Sequence, residues 1–487
     1  MNSHDNAAHA NSSYSVSRRG FLRGCAACAA CASGLSLGVS PAHAIDLSEF
    51  AAKMTPTVKP RIRLVFTHIT PKEATWPYQG YDYEGRKKEL TDRLRCECPN
   101  VEFLPVTVQN KEQATRLLEA SDEIDGYLVY MVGIWTEAPQ VIASSGKPVL
   151  LVDDLYAGSG EFLIAYAAAR RKGQKVAGVS STRFEDVVQG VKCFECLKKL
   201  QASAILDVTD REKLWGDPVA IHEVLGAKVR QISSQEMNEA YRKADQEEAR
   251  EWAKYWIQKA RRVVEPSREE IEKSGVIFLA MVDLMQQHQA QAIAVDCLGL
   301  FYGGKLPAYP CLGFFQLNND GLVGACEGDL QSTGTMLIMN YLVGRPGYIS
   351  DPVIDTSKNQ IIYAHCVAPT KVFGPTGKRN RYDIRSHSED RKGACVRSLM
   401  PLKEMTTTLE FNPTRKEVVI HQGQTVSNID EDKACRNKLA VEVKGDINNL
   451  MTQWDQWGWH RVTFYGDHKQ AVEMISAMLG FEVILEA

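Results

Sequence analysis

From residue 61 to residue 169 the chain repeats one pattern: a short run of Val, Ile, Leu and Phe, a helical segment, then another apolar run. Residues 61–66, 101–106, 126–132 and 148–152 read as strands. Residues 111–120, 137–143 and 162–169 read as helices. Strands apolar along their whole length must be covered on both faces, which a parallel sheet sandwiched between helices provides. The rhythm predicts a Rossmann- or flavodoxin-like α/β domain over 45–175. No Gly-x-Gly-x-x-Gly follows its first strand, so the residues give no support for nucleotide binding.

A second α/β domain is expected over 176–351. It begins with a strand at 176–179. Three capping boxes, Thr182/Glu185, Ser233/Glu236 and Ser267/Glu270, are expected to open helices. The helix after Ser233 carries Met237, Tyr241, Ala244, Trp252 and Trp256 at helical spacing, a stripe that reads as core or interface. Residues 292–297 form a buried strand ending near Asp296, and 305–315 a loop or short helix. Past residue 352 the texture changes to hairpins (360–365, 405–411 with 417–421, then 438–443), which predicts a β-rich, antiparallel, barrel-like domain over 352–487.

The chain has 487 residues, too many for one hydrophobic core. Its formal net charge of −3 gives no basic stripe for nucleic acid. At the N-terminus, Ser17-Arg18-Arg19-Gly20-Phe21-Leu22-Arg23, a small-residue run and Ala42-His43-Ala44 follow one another. That order predicts a twin-arginine signal peptide over 1–44, recognised by the twin-arginine export machinery and cut after Ala44. The run is too short and too weakly apolar to span a membrane. The expected location is the periplasm or another exported compartment, free of the membrane once the signal is removed. That export route carries folded proteins, often with a cofactor installed, which suits a metalloprotein. Of the 13 Cys, Cys25, Cys28 and Cys31 fall in the leader. Cys193-x-x-Cys196 lies inside a helical pattern and reads as packing rather than as a redox or zinc motif.

The stretch 321–351 concentrates the chemistry. A short buried strand is expected to end on Glu327, a helix to run over 331–342, and a second strand to bring up Asp351. A strand–helix–strand unit can return its second strand beside the first. Two carboxylates 24 positions apart could then meet at one end of a sheet. Adjacent carboxylates repel unless a cation or a shared proton sits between them, so the pair is a candidate for metal binding, proton transfer or both. His365 and His460 are the imidazoles placed to join it. Hard oxygens with one or two imidazoles suit Mn²⁺ or Mg²⁺ better than a structural zinc. Cys326 and Cys366, next to two of these positions, read as packing residues. Arg381, Tyr382, Arg385, His387 and Glu389 form a polar cluster that either contacts a ligand or is a solvated face, with the solvated face favoured. Trp454, Trp457 and Trp459 wall a pocket or fill the barrel.

Gly324-Ala325-Cys326-Glu327-Gly328-Asp329 resembles the Ala-x-Glu-Gly-Asp segment of L-arabinose isomerases. The Glu327/Asp351 spacing is similar to that of L-fucose isomerases. Ala364-His365 and Gly458-Trp459-His460 resemble the His motifs of the arabinose branch. The motif resemblance covers about 290–487, and over 46–290 it is architectural. It implies a metal-dependent aldose–ketose isomerase working through a cis-enediol. Glu327, Asp351 and His460 would hold Mn²⁺ (Mg²⁺ or Co²⁺ being alternatives), with His365 as a fourth ligand or supporting group. Glu327 and Asp351 would move the proton between C1 and C2 of a small sugar. It also implies a homo-oligomer, a trimer or hexamer, whose neighbouring N-terminal domain closes the site. Trp76, Tyr78 and Tyr81 are then candidates to stack on sugar, with ordinary loop packing as the alternative, and Arg385, His387 and Trp459 are further candidate substrate contacts. Asp351 follows the fucose branch and His365 the arabinose branch, so the sugar stays open. An epimerase or lyase acting on a modified sugar, and a non-catalytic carbohydrate-binding protein, stay open as well.

Overall fold

The computed structural model describes residues 47–120 and 123–487. The export signal expected over 1–44, with its three Cys, lies outside them. Strands β1 (Arg61–Thr67), β2 (Glu102–Val108), β3 (Gly126–Met131), β4 (Val149–Asp153) and β5 (Val176–Ser180) form a parallel sheet in the order β2-β1-β3-β4-β5. Every residue of β3 and β4 is buried, as strands covered on both faces require. The strand β5, read from sequence as opening the next unit, instead completes this sheet beside β4.

A second parallel sheet contains β6 (Ala204–Val208), β7 (Lys228–Ile232), β9 (Ala292–Val295) and β10 (Val323–Ala325), in the order β10-β9-β6-β7. The short β8 (Arg262–Val263) leaves it to pair elsewhere. Ser233 and Ser267 cap their helices as expected, accepting from the Glu236 and Glu270 amides. Thr182 does not. Its helix starts at Phe184, and the Ser181 hydroxyl bonds Asp186 instead. The aromatic stripe after Ser233 spans two helices, Ser234–Lys243 and Gln246–Lys259, because Ala244 is extended and Asp245 caps the second one. Trp252 and Trp256 pack against Phe278 in the core. Residues 305–315 lead into a buried helix, Cys311–Asn319.

The C-terminal part is a closed antiparallel barrel. It is built from β11 (Tyr348–Asp355), β12 (Gln360–His365), β15 (Met405–Asn412), β16 (Glu417–Asn428), β17 (Asn437–Val443) and β18 (Arg461–Tyr465). The order β15-β18-β11-β12-β17-β16 closes through the β15–β16 pairing. The strand β19 (Glu482–Leu485) adds parallel to β16, while β13 (Tyr382–Arg385) and β14 (Cys395–Ser398) join β8 in a small separate sheet. Inside the barrel Arg461 is fully buried and pairs with Glu486 at 3.1 Å, and Glu486 also meets His421 at 2.8 Å.

The topology corrects one expectation about the focal stretch. The strand carrying Asp351 does not return beside β10. It runs antiparallel between β18 and β12 in the barrel, so the two acids come from different sheets.

Candidate metal centre

Glu327 arises from the end of the parallel sheet. β10 stops at Ala325, two residues short of the expected end, and Glu327 and Gly328 both take the left-handed conformation (φ +64° and +68°). A non-glycine residue there costs roughly 1–3 kcal/mol. The turn aims the Glu327 carboxylate away from the sheet, and the Gly328 amide donates to the Val295 carbonyl at 2.9 Å. The next residue, Asp329, caps the helix Leu330–Val343, accepting from the amides of Gln331 and Ser332 at 3.0 Å.

The other three groups come from the barrel rim. Asp351 lies on β11, His365 ends β12 and His460 immediately precedes β18. These three strands are adjacent, with Ser350 opposite Arg461 and Asp351 opposite Ala364. His460 Nε2 stands 3.8 Å from Glu327 Oε2 and 3.5 Å from Asp351 Oδ1. His365 Nε2 is 3.5 Å from Glu327 Oε1. Glu327, His365 and His460 each offer a ligand atom, and these lie within 4.8 Å of one another.

The donor set fits a hard divalent cation. Both imidazoles are buried, and neither His460 Nε2 nor either ring nitrogen of His365 has a hydrogen-bond partner. Bonds of about 2.0–2.2 Å to one ion would bring neighbouring donors roughly 3–3.5 Å apart, close to the separations here. On the far side of His460, Nδ1 lies 2.9 Å from Asp329 Oδ2. That contact fixes the tautomer that presents the Nε2 lone pair to the centre.

Electrostatics point the same way. Burial opposes charge on His460, but Asp329 and Asp351 outweigh it and raise its pKa to about 10. Burial likewise opposes charge on His365, and Glu327 and Asp351 raise it to about 9. Burial pushes Asp351 up, yet His460, His365 and the Trp459 indole bring it down to about 2. The carboxylates thus favour positive charge between these groups, which a bound divalent cation would supply.

Two further carboxylates line the same end of the parallel sheet. Asp207 is the next-to-last residue of β6 and Asp296 follows β9, both buried. Neither oxygen of Asp207 has a partner, and burial beside Asp296 raises its pKa to about 7. Asp296 pairs with Arg211 at 2.6 Å. Sequence reading missed Asp207 and Asp329. Asp207 sits in an ordinary apolar strand with no local signal. Asp329 carried one, since an Asp directly before a helix is an N-cap candidate.

The remaining candidates fall in three places. Trp459 is 63% exposed, and its Nε1 donates to Asp351 Oδ1 at 2.5 Å, at the mouth of the centre. Trp457 is buried against Glu417, and Trp454 stacks over the Arg461 guanidinium. Trp76 donates to the Tyr156 carbonyl, and Tyr78 and Tyr81 pack edge to face. That loop follows β1 in the first sheet, and none of its described contacts is with the four clustered groups. Arg385 is tied to Glu265. His387 is buried against Cys366, with the ring nitrogen and sulfur 2.9 Å apart. The reading of this cluster as a solvated face holds for Arg381 and Glu389, which are exposed, and is corrected for Tyr382 and His387, which are interior, with the Tyr382 hydroxyl on the Trp256 carbonyl. Cys326 and Cys366 are both packed in the core as expected, and Cys366 also meets His387.

Among known proteins, stretches of the chain are similar to sulfoquinovose isomerases. It is 26% identical over 156 residues to that of Alkalicoccus urumqiensis, covering 31% of this chain and 34% of that protein. It is 35% identical over 86 residues to that of Priestia aryabhattai, covering 17% and 19%. It is 26% identical over 189 residues to that of Clostridium sp. (strain MSTE9), covering 35% and 39%. The matched segments thus span less than two fifths of each relative's length. No protein-family model matches the chain.

Proposed function

We propose that this chain is an exported, divalent-metal-dependent aldose–ketose isomerase acting on a monosaccharide through a cis-enediol. The observation that supports the reading is that Glu327, His365 and His460 each bring a ligand atom within 4.8 Å of the others, with Asp351 Oδ1 3.5 Å from His460 Nε2. The similarity to sulfoquinovose isomerases supports a sugar substrate. Glu327, Asp351 and His460 would hold the ion, Mn²⁺ by preference, with His365 completing the set. When bound, the ion supplies Lewis-acid polarisation of neighbouring sugar oxygens. The chain's own groups do the rest. Glu327 and Asp351 exchange a proton with C1 and C2, Asp329 holds the His460 ring, and the exposed Trp459 face meets the sugar. The N-terminal Arg18-Arg19 motif supports export. A neighbouring subunit bringing Trp76 and Tyr78 over the mouth would complete the enclosure in a homo-oligomer.

The test is incubation of the metal-loaded chain in D₂O with a panel of aldoses, sulfoquinovose first among them. Conversion to the ketose with deuterium at C1 or C2 is expected. Inversion at a carbon without ketose would indicate an epimerase, and loss of a substituent a lyase. A chain that converts no sugar in the panel and takes up no divalent metal would sink the reading.

A further inference from the structure

A second cluster of metal-binding side chains lies beside the first and shares none of its imidazoles. Cys366 follows His365 at the end of β12, and Cys435 lies just before β17. His387 and Glu389 come from the loop between β13 and β14. The sulfurs of Cys366 and Cys435 are 3.7 Å apart. Ligand atoms of Cys366, Cys435 and Glu389 all fall within 4.8 Å of one another. His387 places Nε2 2.9 Å from the Cys366 sulfur, and its Nδ1 pairs with Glu389.

We infer that Cys366, Cys435, His387 and Glu389 form a separate thiolate-rich site for a borderline-soft divalent cation, Zn²⁺ in the first instance. A tetrahedral zinc with bonds of about 2.3 Å to sulfur holds two thiolates about 3.8 Å apart, which is the separation already present. Two sulfurs and an imidazole select zinc-like ions over Mg²⁺ or Mn²⁺, so the two clusters differ in the ions they prefer. The ring of His387 is held in place, stacked on Tyr309 at 4.5 Å and 9°, and a ligand needs that fixed aim. Both sulfurs and His387 are buried, while Glu389 is half exposed and gives the ion a way in. The adjacent guanidiniums are already engaged, Arg385 by Glu265 and Arg436 by Asp432, so neither is free to pair with the thiolates that metal binding would create. On binding, each thiol gives its proton to solvent and its sulfur lone pair to the metal.

Asp351 lies between the two clusters. Its Oδ1 faces His460 at 3.5 Å and its Oδ2 faces Cys435 at 3.9 Å. The thiolate site would therefore act as a positioning element for Asp351.

The test uses the full chain, stripped with a chelator under reducing conditions and titrated with Co²⁺. Sulfur-to-cobalt charge-transfer absorption is expected, since the Glu327 centre has no sulfur donor. It should persist in Glu327→Gln, vanish in Cys435→Ser and shift in His387→Ala. Added Zn²⁺ should abolish it and slow alkylation of Cys366 and Cys435, mapped by mass spectrometry, at least tenfold. Absence of that absorption in the unaltered chain would overturn the inference. So would a Cys366–Cys435 disulfide in the protein as isolated. Reading the unaltered chain first keeps the test valid if a variant fails to fold.

Discussion

Asp329 Oδ2 sits 2.9 Å from His460 Nδ1, while Oδ1 of the same carboxylate caps the helix Leu330–Val343. One side chain thus ties a barrel residue to the start of a helix that follows the parallel sheet. Ser332 Oγ donates to Asp329 Oδ2 at 2.6 Å, and Glu410, buried beneath, accepts from Ser332 and Thr335 at 3.3 Å. Burial raises the Glu410 pKa well above the usual carboxylate range, and the nearby Asp329 charge adds to that shift.

Asp329→Ala should lose both roles. Removing the cap costs about 0.5–2 kcal/mol, read as a melting shift of a few degrees. Removing the His460 partner should weaken Mn²⁺ binding about 10–100-fold, read by titration calorimetry. Asp329→Asn should retain most of the cap but not the charge, so its melting point should recover while its metal affinity stays low.

Glu327→Gln and Asp351→Asn should each lower isomerisation about 10²–10⁴-fold, with circular dichroism unchanged. Deuterium incorporation into the sugar should fall in step with turnover. If either variant kept full exchange, that carboxylate would not be moving the proton.

Trp459→Phe keeps an aromatic face but removes the N–H that holds Asp351. A hydrogen bond to a charged group contributes about 1.5–3 kcal/mol, so kcat should drop roughly tenfold or more with KM little changed. Trp459→Ala should also raise KM. Steady-state kinetics on the two variants separate positioning from sugar contact.

The interior Arg461 holds Glu486 and also donates to the carbonyls of His460 and Trp454. Glu486→Ala leaves that guanidinium buried without its carboxylate, at a cost of about 3–5 kcal/mol. A large fall in thermal midpoint is expected, with weaker metal binding because the 454–460 loop loses its anchor.

Asp383 supplies a pH test away from the centre. Burial pushes its pKa up, but Arg261 and Arg262 outweigh it and hold it below the usual carboxylate range. A depressed folded-state value means a contribution fully present above the unfolded value near ~3.9 and lost as pH falls through the folded one. The thermal midpoint should therefore hold from neutral to about pH 5 and decline below it. Asp383→Asn should melt lower at neutral pH and decline less steeply in acid.

Sequence carried the local signals well. The apolar strands of the first sheet and the β11–β12 hairpin depend on neighbours within a few residues, and the barrel-like texture followed from its turns. Pairings set by distant partners were not legible. The strand after the 330–343 helix looks fit for a parallel return, but its ladder is with Arg461–Thr463, over a hundred residues later. Gly347 permits that approach, since a Cβ there would meet Val462 and Met336 at 2.5 and 2.7 Å. Asp207 acquires its meaning only when β6 lies next to β9. The pairing of Cys366 with Cys435 likewise needs β12 to lie next to β17.

Glu327 belongs to a layer laid down early in the chain order, and its three companions belong to a ring that closes only when β18 slots between β15 and β11. No fragment ending before residue 460 contains the full ligand set. An ion gripped there would rivet sheet to ring, so that chelation should loosen the joint first, visible as faster amide exchange at 326–330 and 458–462 before the rest of the barrel yields. Loading would then belong to the finished fold.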